Sequence, residues 1–71
     1  MTDATIRVNG VSEPLGELKM LDALLAEKAV DTRQRGIAVA LNGAVVPRAA
    51  WPQTSLRSGD SVEIVRARQG G

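Results

Sequence analysis

The chain has 71 residues and contains no cysteine and no histidine, two residues that often act in catalysis. One hydrophobic core fits in so short a chain, and the missing side chains exclude a disulfide framework, a Cys-based zinc site, a thiol nucleophile and the commonest general base. Nine basic and eight acidic residues give a formal net charge of +1, which is too balanced for a dedicated nucleic-acid or membrane binder.

The first predicted element is a β-hairpin. Residues 5–8 (TIRV) alternate polar with apolar side chains, which places Ile6 and Val8 on the core face, and Asn9-Gly10 separates them from a second short run. Asn-Gly between two such runs favours a two-residue turn in which both φ angles are positive. Pro14 lacks an amide hydrogen, so we expect the second strand to end near residues 13–15 and to lie at a sheet edge.

A helical period replaces the alternation from Leu18 onwards. The apolar residues that share about half of a helical wheel are Leu18, Met20, Leu21, Leu24, Leu25 and Ala29, and charged residues occupy the other half. This pattern predicts one amphipathic helix, roughly from Leu18 to Ala29, that covers one face of a sheet. Residues 31–36 then indicate a polar loop.

A second strand pair and a final strand complete the pattern. Residues 37–41 and 44–46 flank Asn42-Gly43, which repeats the hairpin signal before Pro47. Residues 48–57 have no strong period, and we expect Leu56 to be a single anchor in the core. After a turn at residues 58–60, the last strand begins near residue 62 and leads directly to the end of the sequence.

This order of elements predicts a two-layer α+β domain over residues 1–68, because one helix covers only one face of a sheet. The first and last strands alternate best and contain no internal proline, so we expect them side by side and parallel at the sheet centre. That is the ubiquitin-like β-grasp arrangement, a mixed sheet of about five strands that clasps one helix. The other face of the sheet stays open, and parity places Arg7, Val65 and Ala67 on it.

Residues 69–71, Gln-Gly-Gly, are interpreted as a thin, flexible tail beyond this domain. Glycine has no Cβ and reaches backbone conformations that other residues avoid. A tail that ends in Gly70 and Gly71 would therefore carry a backbone carboxylate into a channel too narrow for side chains. The alternative is that these glycines only fray at a terminus and have no role.

Three stretches of the sequence carry specific motifs: residues 38–51 (AVALNGAVVPRAAW), the Gly-Asp turn at residues 59–60 and the terminal Gly-Gly. Together they resemble the ThiS family, the sulfur carriers of thiamine biosynthesis. The family pattern is an apolar strand that ends in Asn, a turn, two β-branched residues, Pro-Arg and a Trp three residues after that Arg. The resemblance is specific over residues 36–71. It departs from the pattern at Met20, where a helix-capping Thr or Ser is common, and at Arg66 and Arg68, which are more basic than usual.

The resemblance implies a group carrier that other enzymes act upon, rather than an enzyme. A ubiquitin-activating-like (ThiF-like) adenylating enzyme would use ATP to adenylate the Gly71 carboxylate. Sulfur that originates from a cysteine desulfurase would then displace AMP and leave a thiocarboxylate. A ThiG-like thiazole synthase would consume that sulfur. The resemblance implies no stably bound cofactor and no metal on the carrier.

The same resemblance gives roles to individual residues. Gly71 would carry the transferred group, and Gly70 with Gln69 would form the narrow approach to it. The candidate partner-binding residues are Val65, Arg66, Ala67, Arg68 and Arg7. Arginines near the tail favour contact with acidic groups on a partner, although solvated surface arginines are the alternative. Trp51 and Arg48 are interpreted as structural residues.

Other functions remain open at this level. The small subunit of molybdopterin synthase shares the tail but usually approaches it through an aromatic-Pro-Pro segment, which residues 65–68 (VRAR) lack. A carrier for another route, such as sulfur transfer to cysteine or a secondary metabolite, would differ only in its client enzyme. A ubiquitin-like modifier or a plain binding module are further alternatives. With no apolar run near the ~18 residues of a membrane span, we expect a cytoplasmic protein without nucleic-acid or membrane partners.

Overall fold

The computed structural model describes residues 4–16, 20–31, 33 and 35–66 of the chain. In chain order the elements are β1 (Thr5–Val8), β2 (Val11–Pro14), α1 (Leu21–Glu27), β3 (Ile37–Leu41), β4 (Ala44–Val46), a 3₁₀ helix (Arg48–Gln53) and β5 (Ser61–Arg66). The predicted hairpin strands, the strand pair after the helix and the final strand are all confirmed.

The strands form one mixed sheet in the order β2-β1-β5-β3-β4. β1 and β5 run parallel to each other, and the remaining neighbours are antiparallel. The first and last strands are therefore adjacent, as predicted, and β2 with Pro14 lies at an edge, where a missing amide donor costs no ladder hydrogen bond. With α1 against one face, the chain has the predicted α+β ubiquitin-like β-grasp fold.

Both Asn-Gly pairs form the predicted tight turns. Asn9 and Gly10 have φ angles of 51° and 85°, and Asn42 and Gly43 have φ angles of 52° and 87°. Positive φ at both central residues matches the right-handed twist of the strands that the turn connects. The two turns thus fix the register of β1 against β2 and of β3 against β4.

The core lies between α1 and the helix-facing side of the sheet. Its buried residues are Ile6, Val8, Leu15, Leu21, Leu24, Leu25, Val30, Ile37, Val39, Trp51, Leu56 and Val62. The strand members alternate along β1 and β3, and the helix members recur at the spacing of one helical face. Ile6, Val8 and Leu56 are buried as predicted.

The predicted helix was too long at both ends. Met20 is extended, with φ −119° and ψ 147°, and forms an isolated antiparallel bridge with Ser55. The Leu21 N–H donates to the Thr54 carbonyl at 2.8 Å. Because the segment after the 3₁₀ helix takes these backbone groups, the helix begins at Leu21 instead of Leu18, and Leu18 itself lies outside the described residues.

The helix ends before Ala29 because that residue adopts a left-handed conformation, with φ 60°. The Val30 N–H donates to the Leu25 carbonyl at 2.9 Å, and the Ala29 N–H donates to the Ala26 carbonyl at 3.0 Å. These two bonds are the Schellman motif, in which glycine usually occupies the position that Ala29 holds here. An alanine Cβ strains this position, since it approaches the following carbonyl oxygen.

Replacing Ala29 with Gly is expected to raise the free energy of unfolding by about 0.5–1 kcal/mol, since relief of left-handed strain outweighs the added chain entropy. The measurement is urea unfolding followed by circular dichroism. Ala26→Gly is the matched control: Ala26 lies exposed within α1, and the same change there should lower stability by about 1 kcal/mol. Equal destabilisation by both variants would contradict the strain at Ala29.

The 3₁₀ helix was missed, because residues 48–57 were expected to be irregular. It places Trp51 in the core at 2% exposure, and the indole Nε1–H donates to the Val46 carbonyl at 2.9 Å. The Arg48 guanidinium lies over the same ring, 4.6 Å from its centroid. The structural interpretation of Trp51 is therefore confirmed.

Candidate partner-binding site

The central strand β5 leads towards the sequence-predicted tail. The predicted site residues Ala67, Arg68, Gln69, Gly70 and Gly71 lie outside the described residues, as does the predicted domain boundary at residue 68. The described part of the site is therefore the strand that precedes the tail and the sheet face around that strand.

One side of β5 is held by β3 and the other by β1 and its turn. β3 pairs with β5 from Leu41 opposite Val62 to Ile37 opposite Arg66. On the other side, the Asn9 N–H donates to the Val62 carbonyl at 2.9 Å. The Asn9 Oδ1 then accepts the Ile64 N–H at 2.7 Å. A side-chain amide thus continues the hydrogen bonding of β5 past the end of β1.

The second Asn-Gly turn holds the start of β5 in a similar way. The Asn42 Oδ1 accepts the Ser61 N–H at 2.9 Å, and the Asn42 N–H donates to the Ser61 carbonyl at 2.8 Å. The Asn42 Nδ2 also donates to Asp60 Oδ1 at 3.0 Å. Sequence reasoning gave both asparagines a role in turns alone. Their contacts to β5 join residues 19 and 55 positions apart, so no local pattern signals them.

The open face of the sheet carries an apolar strip next to the end of β5. Cross-strand partners share a face, and the register sets Val65 opposite Ala38, and Ala40 opposite both Glu63 and Val45. Val65 is 60% exposed and Val45 is 76% exposed. We define the apolar strip as Ala38, Ala40, Val45 and Val65. Clustered exposed apolar residues of this kind are typical of interaction surfaces.

The predicted site residues do not all lie together. Val65 belongs to the apolar strip. Arg7 is on the same face but level with Ser61, about 13 Å from Val65 along the strand at ~3.3 Å per residue. Arg66 is opposite Ile37 and therefore belongs to the other face, where it is exposed. Val45 was missed, although its position between Ala44 and Val46 gives it the right parity.

A hollow of about 330 Å³ lies around Arg7, at the end of the open face farther from the tail. Its lining residues are Thr5, Ile6, Arg7, Ser12, Gly59, Asp60 and Ser61. We call it the Arg7 hollow. Its polar side chains are three hydroxyl groups, the Arg7 guanidinium and the Asp60 carboxylate.

Glu63 is a further charged residue of the open face, since it is exposed and lies opposite Ala40. The ion pairs of the described structure lie elsewhere. Lys28 at the end of α1 forms an ion pair with Glu13 on the helix side of β2. The Arg33 N–H donates to Asp31 Oδ1 at 2.9 Å and lowers the pKa of that exposed carboxyl below its ordinary value. No group of three or more potential metal ligands is present in the described ranges. Within those ranges, no helix has the length and apolar character needed to cross a membrane.

Comparison with known proteins gives consistent results. The ThiS family matches residues 6–71. A crystal structure of the thiamine biosynthesis protein (ThiS) from Geobacter metallireducens superposes with a TM-score of 0.76 and 29% sequence identity, covering 94% of this chain and 99% of that one. The thiazole synthase of Paramagnetospirillum magneticum is 34% identical over 64 residues, which are 90% of this chain. The chain spans only 19% of the length of that curated relative.

Proposed function

The chain belongs to the ThiS family, and we propose that it is a sulfur carrier of thiamine biosynthesis. The observation that carries this proposal is the family match, which extends through Gly70 and Gly71. The fold supports it, because the central strand of the sheet leads towards those glycines. In this proposal Gly71 bears the sulfur as a thiocarboxylate, and Gly70 and Gln69 form the narrow approach.

The chemistry requires activation by a partner. A carboxylate resists attack by a nucleophile, because its negative charge is delocalised and its leaving group would be oxide. Transfer of AMP from ATP to a Gly71 oxygen releases pyrophosphate and creates an acyl adenylate. Sulfide then attacks the carbonyl carbon, AMP leaves with the oxygen, and a C–S bond replaces that C–O bond. The carrier itself is not an enzyme in this scheme, since a ThiF-like adenylating enzyme catalyses both steps.

The open sheet face is proposed to bind that adenylating enzyme. The apolar strip borders β5, so an enzyme that covers Val65 would also lie beside the start of the tail. Ala67 and Arg68 follow Arg66 in the sequence, and Arg66 presents its charge on the other side of the strand. Hydrophobic contact at the strip would supply affinity, whereas the arginines would favour an acidic partner surface and faster association.

Thiazole synthase is the proposed client that removes the sulfur. The relative from Paramagnetospirillum magneticum is named for that enzyme, and this chain corresponds to only a fifth of it. That protein therefore joins a region similar to this carrier to a much longer remainder in one polypeptide. Such a linkage favours thiazole synthase over the client of another sulfur route. The proposal places the carrier in the cytoplasm, with sulfur that a cysteine desulfurase mobilises.

Intact mass spectrometry tests the proposal. Incubation with ATP, sodium sulfide and the ThiF-like enzyme from the same genome should raise the mass of the carrier by about 16 Da, since one sulfur replaces one oxygen of the carried group. Omission of ATP should leave the mass unchanged. Addition of thiazole synthase and its other substrates should return the mass to its starting value. An unchanged mass with an adenylating enzyme that loads a known carrier would refute the proposal.

A further inference from the structure

A row of polar residues crosses the open face at the Arg7 hollow. Arg7 of β1 is directly opposite Ser12 of β2 on one side and Ser61 of β5 on the other. Cross-strand neighbours on one face contact each other, but a serine is too short to cover a guanidinium. Two serines beside one arginine thus leave a recess in the sheet surface, and this explains why the hollow forms here.

The guanidinium of Arg7 has N–H donors available to a partner. Within the described part of the chain, the ion pairs join Lys28 to Glu13 and Arg33 to Asp31, and none includes Arg7. The acid that lines the hollow, Asp60, is already engaged. Its Oδ1 accepts from Asn42 Nδ2 at 3.0 Å and its Oδ2 accepts from the Arg57 N–H at 2.8 Å. The lining therefore offers a cation and hydroxyl donors to a group from outside.

We propose that the Arg7 hollow binds an aspartate or glutamate side chain of the adenylating enzyme that receives the tail, an inference that rests on the proposed function. A planar guanidinium donates two parallel hydrogen bonds to a carboxylate, and the Ser12 and Ser61 hydroxyls add donors on either side. A single negative charge balances Arg7. A phosphate dianion fits less well, because the Asp60 carboxylate in the lining repels a doubly charged group more strongly than a singly charged one.

The position of the hollow indicates how this contact would orient the carrier on its partner. It shares the open face with the apolar strip but lies about 13 Å from Val65, by the ~3.3 Å rise per strand residue. A partner that holds the sheet only at the strip leaves the carrier free to rotate about that contact. A second, charged contact at Arg7 fixes the rotation, and with it the direction in which β5 points the tail.

Steady-state kinetics of adenylation, with the full-length carrier as the varied substrate, test the inference. Arg7→Glu is expected to raise the KM for the carrier by about tenfold, because repulsion replaces an ion pair. Arg7→Lys should raise KM by about threefold, since it keeps the charge and loses the planar fork. The difference in KM between wild type and Arg7→Glu should also shrink as salt is added, because salt screens the charges.

Arg35→Glu is the matched control. Arg35 is exposed in the loop before β3, and the substitution makes the same change in net charge. Its KM should stay within about twofold of wild type, as expected for a surface charge outside the contact. Equal KM values for Arg7→Glu and wild type, or equal increases for Arg7→Glu and Arg35→Glu, would overturn the inference. Loading of the wild-type carrier decides the proposed function separately.

A nuclear magnetic resonance titration identifies the source of the anion. Inorganic phosphate and sodium acetate are added separately to the free carrier at equal ionic strength, and the amide signals of Arg7, Ser12 and Ser61 are followed. We expect both anions to bind no more tightly than about 1 mM, because the second contact comes only with the protein partner. Saturation by phosphate at lower concentrations would identify a free-phosphate site and overturn the assignment to a protein carboxylate.

Discussion

Deletion of Gly71 is expected to abolish sulfur loading and to leave the free energy of unfolding unchanged. The truncated chain still ends in a carboxylate, but that group lies one residue, about 3.5 Å, short of its intended place. A displacement of about 1 Å can lower a rate by about 100-fold, so we expect no detectable thiocarboxylate. Stability should not change, because the last described hydrophobic residue that packs against the core is Ile64.

Two measurements separate the chemical role of the tail from a structural one. Intact mass after incubation with ATP, sulfide and the adenylating enzyme reports loading, and urea unfolding reports stability. Arg35→Ala is the control, since it shortens an exposed side chain in the loop before β3 and leaves the tail unchanged, and it should load at a rate near that of wild type. Normal loading of the truncated chain would show that Gly71 does not carry sulfur. Loss of its circular dichroism signal would show that the tail stabilises the domain.

Features of the fold that depend on local patterns were predictable from the sequence. Asn-Gly between alternating runs encodes the two tight turns, and alternation along β1, β3 and β5 encodes the buried face. The central parallel pair followed from the quality of that alternation and the absence of proline. Each of these signals is confined to a few neighbouring residues, so a single sequence suffices to detect it.

Features that depend on distant partners, on a disfavoured backbone conformation or on a very short element were not predictable. The start of α1 is decided by the bridge between Met20 and Ser55, which competes with an otherwise helical pattern. Ala29 ends the helix in a conformation that its own side chain disfavours. The 3₁₀ helix has too few residues for a recognisable period, so only its apolar anchor, Trp51, could be interpreted in advance.

The candidate site was also predictable only in part. The alternation of side chains along each strand correctly placed Val65 and Arg7 on the same face, because this alternation is a property of each strand alone. Their separation along the sheet depends on the register of β1 against β5, in which Arg7 is level with Ser61. That register is maintained by contacts such as the Asn9 side chain to the Ile64 N–H. A surface that spans several strands therefore requires the structure before its charged and apolar parts can be distinguished.

Substitution of Trp51 by alanine is the mutation within the described domain that we expect to destabilise it most. The indole is 2% exposed, and it fills the space under the connection between β4 and β5. Truncation of a buried Trp costs about 3–5 kcal/mol, whereas a domain of this length has a total stability of roughly 4–11 kcal/mol. The variant should therefore unfold at far lower urea concentrations or be partly unfolded without denaturant.

Trp51→Phe separates the packing of the ring from its hydrogen bond. Phenylalanine keeps an aromatic ring under Arg48 but cannot donate to the Val46 carbonyl, which the indole reaches at 2.9 Å. The expected loss is about 1–3 kcal/mol, the cost of leaving a partly buried acceptor without its donor. Urea unfolding followed by circular dichroism measures both variants.

If Trp51→Ala keeps wild-type stability but loses binding to the adenylating enzyme, Trp51 is a contact residue and the structural assignment is wrong. If both variants lose stability in the expected order and a folded Trp51→Phe loads sulfur normally, the ring acts only by holding the domain together.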